Sequence, residues 1–303
     1  MLVEHLIEPE FLLKVSETRR DYKDLLREFS MPSPRVAGNF PKMKNFRKQV
    51  LSKQSADASE HAQMRLEELL RLLSERRVER SLVFDGSITF HENLKNAEQN
   101  FFCGIHFLKD RKPPIPLDSQ VVCIEDFEQG LEPSVTQISV RRTAEELSQS
   151  LKEFVRLSSS ITLIDPYFGT QAGMWKTFIL LLTASLDSSP APGKTFDVLF
   201  DGSKKTARSC KYLADRLTEE QPDLVKQFSR ITFKDIRETG KSAIHNRYLM
   251  SELGGVSIGH GFEESNDQEH DELTLLAEEV YQQRSSQFVE LQGVGLEDEF
   301  SVS

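Results

Sequence analysis

The spacing of apolar side chains predicts helices in the first third of the chain. Apolar residues recur every three or four positions within residues 8–29 and again within residues 66–73, as on one face of an amphipathic helix. Residues 112–116 contain three prolines, which remove backbone donors that a strand ladder needs, so this segment is expected to be a connector. We therefore predict a mainly helical N-terminal region over residues 1–115.

The pattern changes after the connector, where short apolar runs alternate with helical segments. The predicted strands include residues 121–124, 135–140, 161–167, 196–200 and 231–236, and the predicted helices include residues 143–157 and 204–228. Strands separated by helices of this length indicate a layered α/β domain with parallel strand pairing, which we place at residues 116–265. Residues 266–303 contain one short amphipathic stretch and are otherwise expected to form a flexible acidic tail.

Composition indicates an ordinary soluble protein. Hydrophobic residues make up 38% of the 303 residues, enough for a core, and the longest apolar run is too short to span a bilayer. The first residues do not resemble a signal peptide. The three cysteines are far apart in the sequence and form no CxxC pair, which argues against a disulfide framework or a zinc knuckle. We expect a cytoplasmic protein without a transmembrane segment.

The net charge of −10 is concentrated at the C-terminal end. From Glu263 onward there are 12 acidic residues and one basic residue, so the preceding part has 37 basic and 36 acidic residues. The acidic average therefore does not exclude a nucleic-acid partner for the body of the protein.

Phosphate chemistry can be argued for two histidines and one arginine. His245 and Arg247 are two positions apart in a predicted strand, which would place both side chains on one face, and His260 ends the next strand. A neutral imidazole can attack phosphorus or transfer a proton near neutral pH. A guanidinium can hold two phosphate oxygens at once.

Other candidate residues follow the ends of neighbouring strands. Asp165 and Tyr167 lie at the end of the predicted strand at 161–167, where a turn is the plainer interpretation of an Asp-Pro pair. Lys204 falls at a predicted helix start, where backbone N–H groups can receive an anion. In α/β sheets such strand ends surround the usual binding crevice.

The motifs in residues 120–265 resemble those of the phospholipase-D-like superfamily. The pattern looks closest to the phospholipase-D-like C-terminal domain first described in MIT-domain proteins. The matching elements are the Asp-Pro-Tyr at 165–167, the His-x-Arg formed by His245 and Arg247, and the Gly-x-Gly formed by Gly259 and Gly261. The resemblance implies a layered α/β fold with helices on both faces of the sheet.

The motif departs from that of active phospholipase-D-like enzymes at several positions. Arg247 stands where those enzymes have lysine, and Glu252 falls at their aspartate position. His260 replaces a small residue after the glycine, and Phe262 replaces an asparagine.

The resemblance implies a metal-independent phosphodiesterase without a cofactor, most simply a nuclease. His245 would form a phosphohistidine, Arg247 would hold the phosphate oxygens, and a second imidazole would protonate the leaving oxygen. That imidazole would come from His260 or from the same site of another subunit, so a homodimer is expected. Asp165, Tyr167, Lys204, Gly259 and Gly261 would contact the substrate.

Three settings for this chemistry remain open. By resemblance, the domain suits an effector in bacterial antiviral defence. A non-catalytic module that binds phosphate or anionic lipid is the alternative for a degenerate motif. In the third, the protein is a scaffold subunit whose N-terminal helical region binds a partner protein.

Overall fold

The fold contains two compact α/β units. The computed structural model describes residues 1–99, 104–112, 114–129, 134–170, 172–186, 193–238, 245–265 and 268–303. The N-terminal unit is Leu2–Ser134, and the C-terminal unit is Val135–Ser303 together with Met1. The expected boundary at residues 115/116 is thus displaced to residues 134/135, because the strand at Gln120–Val122 pairs within the first unit.

The N-terminal unit contains a parallel five-stranded sheet, which the sequence pattern did not predict, in addition to the expected helices. The strands are β1 (Val3–Ile7), β2 (Arg35–Gly38), β3 (Arg77–Val78), β4 (Gly104–Phe107) and β5 (Gln120–Val122), in the order β3-β2-β1-β4-β5. All four neighbouring pairs are parallel. The sequence pattern did not predict these strands because they are short and because β1 buries the polar side chains of Glu4 and His5.

The described residues of the N-terminal unit form six helices, of which the apolar spacing predicted those within residues 8–29 and around residues 66–73. The six helices are α1 (Pro9–Glu17), α2 (Arg19–Phe29), α3 (Met43–Lys53), α4 (Glu60–Glu75), α5 (Phe90–Glu98) and α6 (Ile124–Gln129). Ser59 caps α4 by accepting a hydrogen bond from the Ala62 N–H. The predicted leucine stripe of α4 is at most 1% exposed, and each such side chain contributes about 1.5–3 kcal/mol over an exposed one.

The C-terminal unit is built on a mixed eight-stranded sheet. Its strands are β6 (Gln137–Arg141), β7 (Ser160–Ile164), β8 (Thr195–Phe200), β9 (Arg230–Glu238), β10 (Arg247–Ser251), β11 (Gly254–Ile258), β12 (His270–Leu275) and β13 (Val294–Val302). The order is β13-β9-β8-β7-β10-β11-β12-β6. Only β7, β8 and β9 pair in parallel, and the remaining pairs are antiparallel. The α/β class is confirmed, but the sheet is less parallel than expected.

One helix start of this unit agrees with the sequence prediction, and another differs from it. The helices are α7 (Ala144–Leu157), α8 (Ala172–Leu186), α9 (Cys210–Glu220), α10 (Pro222–Val225) and α11 (Glu278–Arg284), the last followed by a π-helical turn at Ser285–Val289. Thr143 caps α7 as predicted, accepting from the Glu146 N–H. The predicted helix start at Lys204 is wrong, because a turn closed by the Lys204 N–H and the Asp201 carbonyl leads to Ser209, which caps α9.

The expected flexible tail is instead part of the sheet. β12 pairs with β11 and β6, and β13 pairs with β9 from Val294 to Val302 with one register shift between Leu296 and Asp298. Asp271, Leu273 and Leu275 of β12 alternate as buried residues, a period of two that satisfies the strand pattern despite the acidic composition. None of the described helices is both long and apolar enough to cross a membrane.

Candidate functional site

The strand directions bring the candidate residues to one edge of the C-terminal sheet. Because β10 is antiparallel to β7 and to β11, the N-terminal end of β10 lies beside the C-terminal ends of both neighbours. Tyr248 pairs with Ile164, and Arg247 pairs with Ile258. The residues that follow Ile164 and Ile258 therefore meet at Arg247.

Asp165 is the buried anionic group of this edge. It follows β7 directly, is 0% exposed, and accepts hydrogen bonds from the Tyr167 N–H (2.9 Å) and the Phe262 N–H (3.3 Å). Burial raises the pKa of the Asp165 carboxyl to about 6, against the opposing effect of those hydrogen bonds and of Arg247. These contacts hold Asp165 against the backbone and Arg247.

Arg247 is held from three sides while its guanidinium stays partly open. Its Nε lies 4.0 Å from the Asp165 Oδ1, and its Nη1 donates to the Gly259 carbonyl at 3.4 Å. The guanidinium carbon lies 5.2 Å from the centre of the Tyr167 ring. The side chain is 23% exposed, so several of its five N–H donors remain available to an anion.

Lys204 brings a second cation to the same tyrosine. Its Nζ lies 5.0 Å from the centre of the Tyr167 ring and 3.3 Å from the Asp201 Oδ2. The residue reaches the site from the loop after β8, and not from a helix start as the sequence suggested. Tyr167 thus carries a cation–π contact with each of two positive side chains, which concentrates positive charge at the edge.

Gly261 is required by the close packing of this edge. Its φ of +91° is one that residues with side chains rarely adopt. A Cβ atom there would lie 2.5 Å from the Asp165 Oδ2 and 3.2 Å from the Arg247 Cγ. At Gly259 a Cβ would meet the Asp271 Oδ1 at 2.6 Å. Both glycines of the Gly-x-Gly pair therefore permit the loop to approach two buried carboxyl groups.

His260 stands between these glycines and is supported by a carboxylate that sequence reasoning missed. Its Nδ1 lies 3.4 Å from the Asp271 Oδ1, and its backbone N–H donates to the Asp271 Oδ2 at 2.9 Å. The imidazole is 66% exposed, whereas the Asp271 side chain is 2% exposed. A buried carboxylate behind an exposed imidazole is an arrangement that can orient the ring for proton transfer.

His245 lies at the same edge but outside the strand. β10 begins at Arg247, so the prediction that His245 and Arg247 share one strand face is wrong in that detail. The imidazole is exposed, and within the described ranges it has no hydrogen-bond partner. Residues 239–244, which precede it, lie outside the described residues.

Two further residues named by the sequence lie away from this edge or inside the core. Glu252 follows the opposite end of β10, where its carboxylate accepts from the backbone N–H groups of Ser159 (2.6 Å) and Ser160 (3.1 Å). Phe262 is fully buried. In the described part of the chain no group of three His, Cys, Asp or Glu side chains is arranged to hold a metal ion.

Comparison with known proteins gives little further information. No protein-family model matches the sequence, and no curated protein matches it significantly. The solved structures with detectable similarity to part of this chain include the following two. One is TrmBL2, an archaeal chromatin protein described as showing a novel mode of DNA binding (12% identity, TM-score 0.29, 55% of this chain and 56% of that chain). The other is phosphatidylserine synthase of Haemophilus influenzae Rd KW20 (13% identity, TM-score 0.33, 57% of this chain and 44% of that chain).

In both cases the similarity spans about half of the neighbour's chain. TM-scores this low assign neither a fold family nor an activity to this protein.

Proposed function

We propose that the C-terminal unit binds and cleaves phosphodiesters, with nucleic acid as the substrate. The observation that carries this proposal is the pair of cations on Tyr167, next to an exposed imidazole backed by a buried carboxylate. Arg247 and Lys204 supply the charge that a phosphate needs, and His260 supplies a proton donor beside it. The phospholipase-D-like motif that includes His245 supports the same chemistry.

Phosphate binding would use the open side of the cationic edge. Arg247 has one hydrogen bond and one long ion pair, which leaves donors free for two phosphate oxygens. Lys204 would add a point charge on the other side of Tyr167. In the transition state both cations would stabilise the negative charge spread over the non-bridging oxygens.

The chemical steps would use the two histidines in turn. A nitrogen of neutral His245 attacks phosphorus, the bond from phosphorus to the leaving ester oxygen breaks, and protonated His260 gives that oxygen its proton. Neutral His260 then takes a proton from a water, which attacks the phosphohistidine and releases His245 with a phosphomonoester. Asp271 would hold the His260 ring and stabilise its positive charge. A second subunit is not needed for the second imidazole, and the homodimer stays a prediction.

One observation favours a second candidate, a phosphate-binding module without turnover. A nucleophilic histidine is usually oriented by a neighbouring group, and in the described residues His245 has none, whereas Arg247 is held from several sides. Binding would then depend on Arg247 and Lys204 alone.

Cleavage in EDTA separates the two candidates. Purified protein would be incubated with labelled DNA, RNA and bis-para-nitrophenyl phosphate, beside His245→Ala, His260→Ala and Arg247→Ala. We expect cleavage by the wild type, a loss of at least about a thousandfold in His245→Ala, and a loss of about a hundredfold or more in His260→Ala. His270→Ala is the matched control, because His270 is an exposed histidine of the same unit and neighbours Asp271.

The outcomes point in different directions. Equal cleavage by His245→Ala, or no cleavage by the wild type, would overturn the phosphodiesterase. Absence of cleavage together with oligonucleotide binding that Arg247→Ala abolishes would establish the binding module instead.

A further inference from the structure

A cavity lies beside the loop that carries Asp165 and Tyr167. It has a volume of about 170 Å³ and is lined by that loop and by the segment that opens α9. We call it the arginine–aromatic pocket, and its principal residues are Phe168, Trp175, Arg208, Tyr212 and Arg216. Aromatic side chains with a few placed polar groups are the typical lining of a ligand pocket, and this cavity has three aromatic rings and two guanidinium groups.

One half of the pocket is open and carries uncompensated charge. Arg208 precedes the cap of α9, and its guanidinium carbon lies 5.2 Å from the centre of the Tyr212 ring. The Tyr212 residue is 47% exposed, and Arg208 is exposed as well. Within the described ranges Arg208 has no acidic partner, so its charge is available to a ligand.

The other half is fixed and forms a wall. The Trp175 Nε1 donates to the Glu220 Oε2 at 2.8 Å, and the Arg216 Nε donates to the Glu220 Oε1 at 2.7 Å. The guanidinium of Arg216 lies 4.3 Å from the centre of the Trp175 ring. The shared carboxylate holds both groups in place and neutralises Arg216, so Arg208 provides the unbalanced positive charge of the pocket.

The pocket adjoins the candidate site through two loops. Thr170 lines it three residues after Tyr167, a separation of at most about 11 Å. Arg208 follows Lys204 by four residues, through a turn in which the Ala207 N–H donates to the Lys204 carbonyl at 2.9 Å. A ligand whose phosphate lies between Arg247 and Lys204 can therefore extend into the pocket.

We infer that the arginine–aromatic pocket binds a base of single-stranded nucleic acid next to the phosphodiester held at Arg247. This inference rests on the proposed function, because it assumes a nucleotide ligand at the neighbouring site. The volume suits one flat ring system or a phosphate group, and not a larger ligand. Exposed aromatic rings and arginine planes are the surfaces on which unpaired bases stack. In a duplex both faces of each base are already stacked, so the pocket selects a single strand.

Oligonucleotide binding tests this inference directly. The probe is a fluorescein-labelled strand of about ten thymidines, within the length range that single-strand binding modules cover, followed by fluorescence anisotropy in EDTA with the full chain. We expect Tyr212→Ala to weaken binding about tenfold through lost stacking, and Arg208→Ala to weaken it similarly with a salt dependence that falls by about one ion. Arg208→Lys would recover only part of the affinity, since lysine lacks the planar stacking surface.

Lys211→Ala provides the matched control. Lys211 is a 65% exposed cation of the same helix that pairs with Asp215, outside the pocket, so its removal changes the charge equally without touching the cavity. Its substitution should alter affinity less than about twofold.

Failure of this inference differs from failure of the phosphodiesterase. If Tyr212→Ala and Arg208→Ala bind the strand as well as the wild type and Lys211→Ala do, the subsite is wrong, whatever happens to cleavage in His245→Ala. The inference would also be wrong if a blunt duplex bound as tightly as the single strand. A loss of affinity in Tyr212→Ala that is seen only with phosphatidylserine vesicles, and not with the labelled strand, would overturn it as well. If the wild type binds but does not cleave, the proposed phosphodiesterase fails while a tenfold loss in Tyr212→Ala still supports the subsite.

Discussion

The two sheets place polar residues at comparable edges but use them differently. In the N-terminal unit, Glu8 follows β1 and accepts from the Lys109 N–H at 2.6 Å. Asn39 follows β2, donates to both carboxylate oxygens of Glu79 at 2.9 Å, and accepts from the Met43 N–H. These polar groups thus find their hydrogen-bond partners within the N-terminal unit itself.

The edge of the C-terminal sheet keeps hydrogen-bond donors of its cations open, although Arg247 faces Asp165 and Lys204 faces Asp201. Arg247 and Lys204 share one aromatic ring and keep donors open, and two imidazoles stand exposed beside them. The ends of strands therefore provide a place where polar side chains collect, and donors left open there make such a place receptive to a ligand. The difference between the units can be tested by substitutions that should disturb packing in one and binding in the other.

The largest effect is expected for Gly261→Ala. The new Cβ would require a φ of +91° and would meet the Asp165 carboxylate at 2.5 Å, so we expect a loss of about 2–4 kcal/mol in the free energy of unfolding. Urea unfolding followed by the fluorescence of Trp175, the single tryptophan, reports on the C-terminal unit.

Gly293→Ala is the matched control for backbone strain. Its φ is +74°, but nothing lies within 4 Å of the position of a Cβ, so its cost should be about 1 kcal/mol. Equal losses in both variants would show that the close approach at Asp165 contributes nothing.

The next effect concerns the pH dependence of stability. Burial raises the pKa of Asp165 from its ordinary value of 3.8 to about 6, so the fold favours the protonated carboxyl. The contribution of this protonation to the free energy of unfolding is complete below about pH 4 and is lost as the pH rises through about 6. The total loss is about 3 kcal/mol. Asp165→Asn cannot ionise and escapes this loss.

The stability of Asp165→Asn relative to wild type should therefore rise by about 3 kcal/mol between about pH 4 and pH 7. Any cost of replacing the oxygen that accepts from the Phe262 N–H is the same at both pH values and cancels in the comparison. Trp175 fluorescence again measures the difference in stability between Asp165→Asn and the wild type. If this difference stays constant with pH, the assignment of a raised pKa to Asp165 is wrong.

The sequence predicted the gathering of the candidate site better than its details. Asp165 and the Gly-x-Gly pair were expected at strand ends, and the strand pairing places them beside Arg247. Asp271 was missed because acidic composition suggested a tail, although the alternation of Asp271, Leu273 and Leu275 was a usable signal. Arg208 and Tyr212 carry no local motif, and only the tertiary fold brings them near Trp175.

The N-terminal sheet could not be predicted from periodicity, because its strands bury polar groups. His5 of β1 is fully buried, its Nδ1 lies 2.9 Å from the Ile105 carbonyl, and burial lowers the pKa of its imidazole to about 3. Glu4, its neighbour, forms a buried ion pair with Arg80, which is distant in the sequence. In the sequence such charged residues resemble surface residues, because only the tertiary fold brings the two partners together.

The smallest effect contrasts one residue from each edge. Glu8→Ala removes the acceptor of the Lys109 N–H and should lower the stability of the N-terminal unit by about 1 kcal/mol, while Glu8→Gln keeps an acceptor and should cost less. Neither should change oligonucleotide affinity. Lys204→Ala should do the opposite, weakening binding several-fold with a stability change of at most about 1 kcal/mol, because its ion pair with Asp201 is long and only partly buried. Hydrogen exchange of amides in Leu2–Ser134 and anisotropy with the labelled strand measure the two quantities, and a binding defect in Glu8→Ala would remove the distinction between the edges.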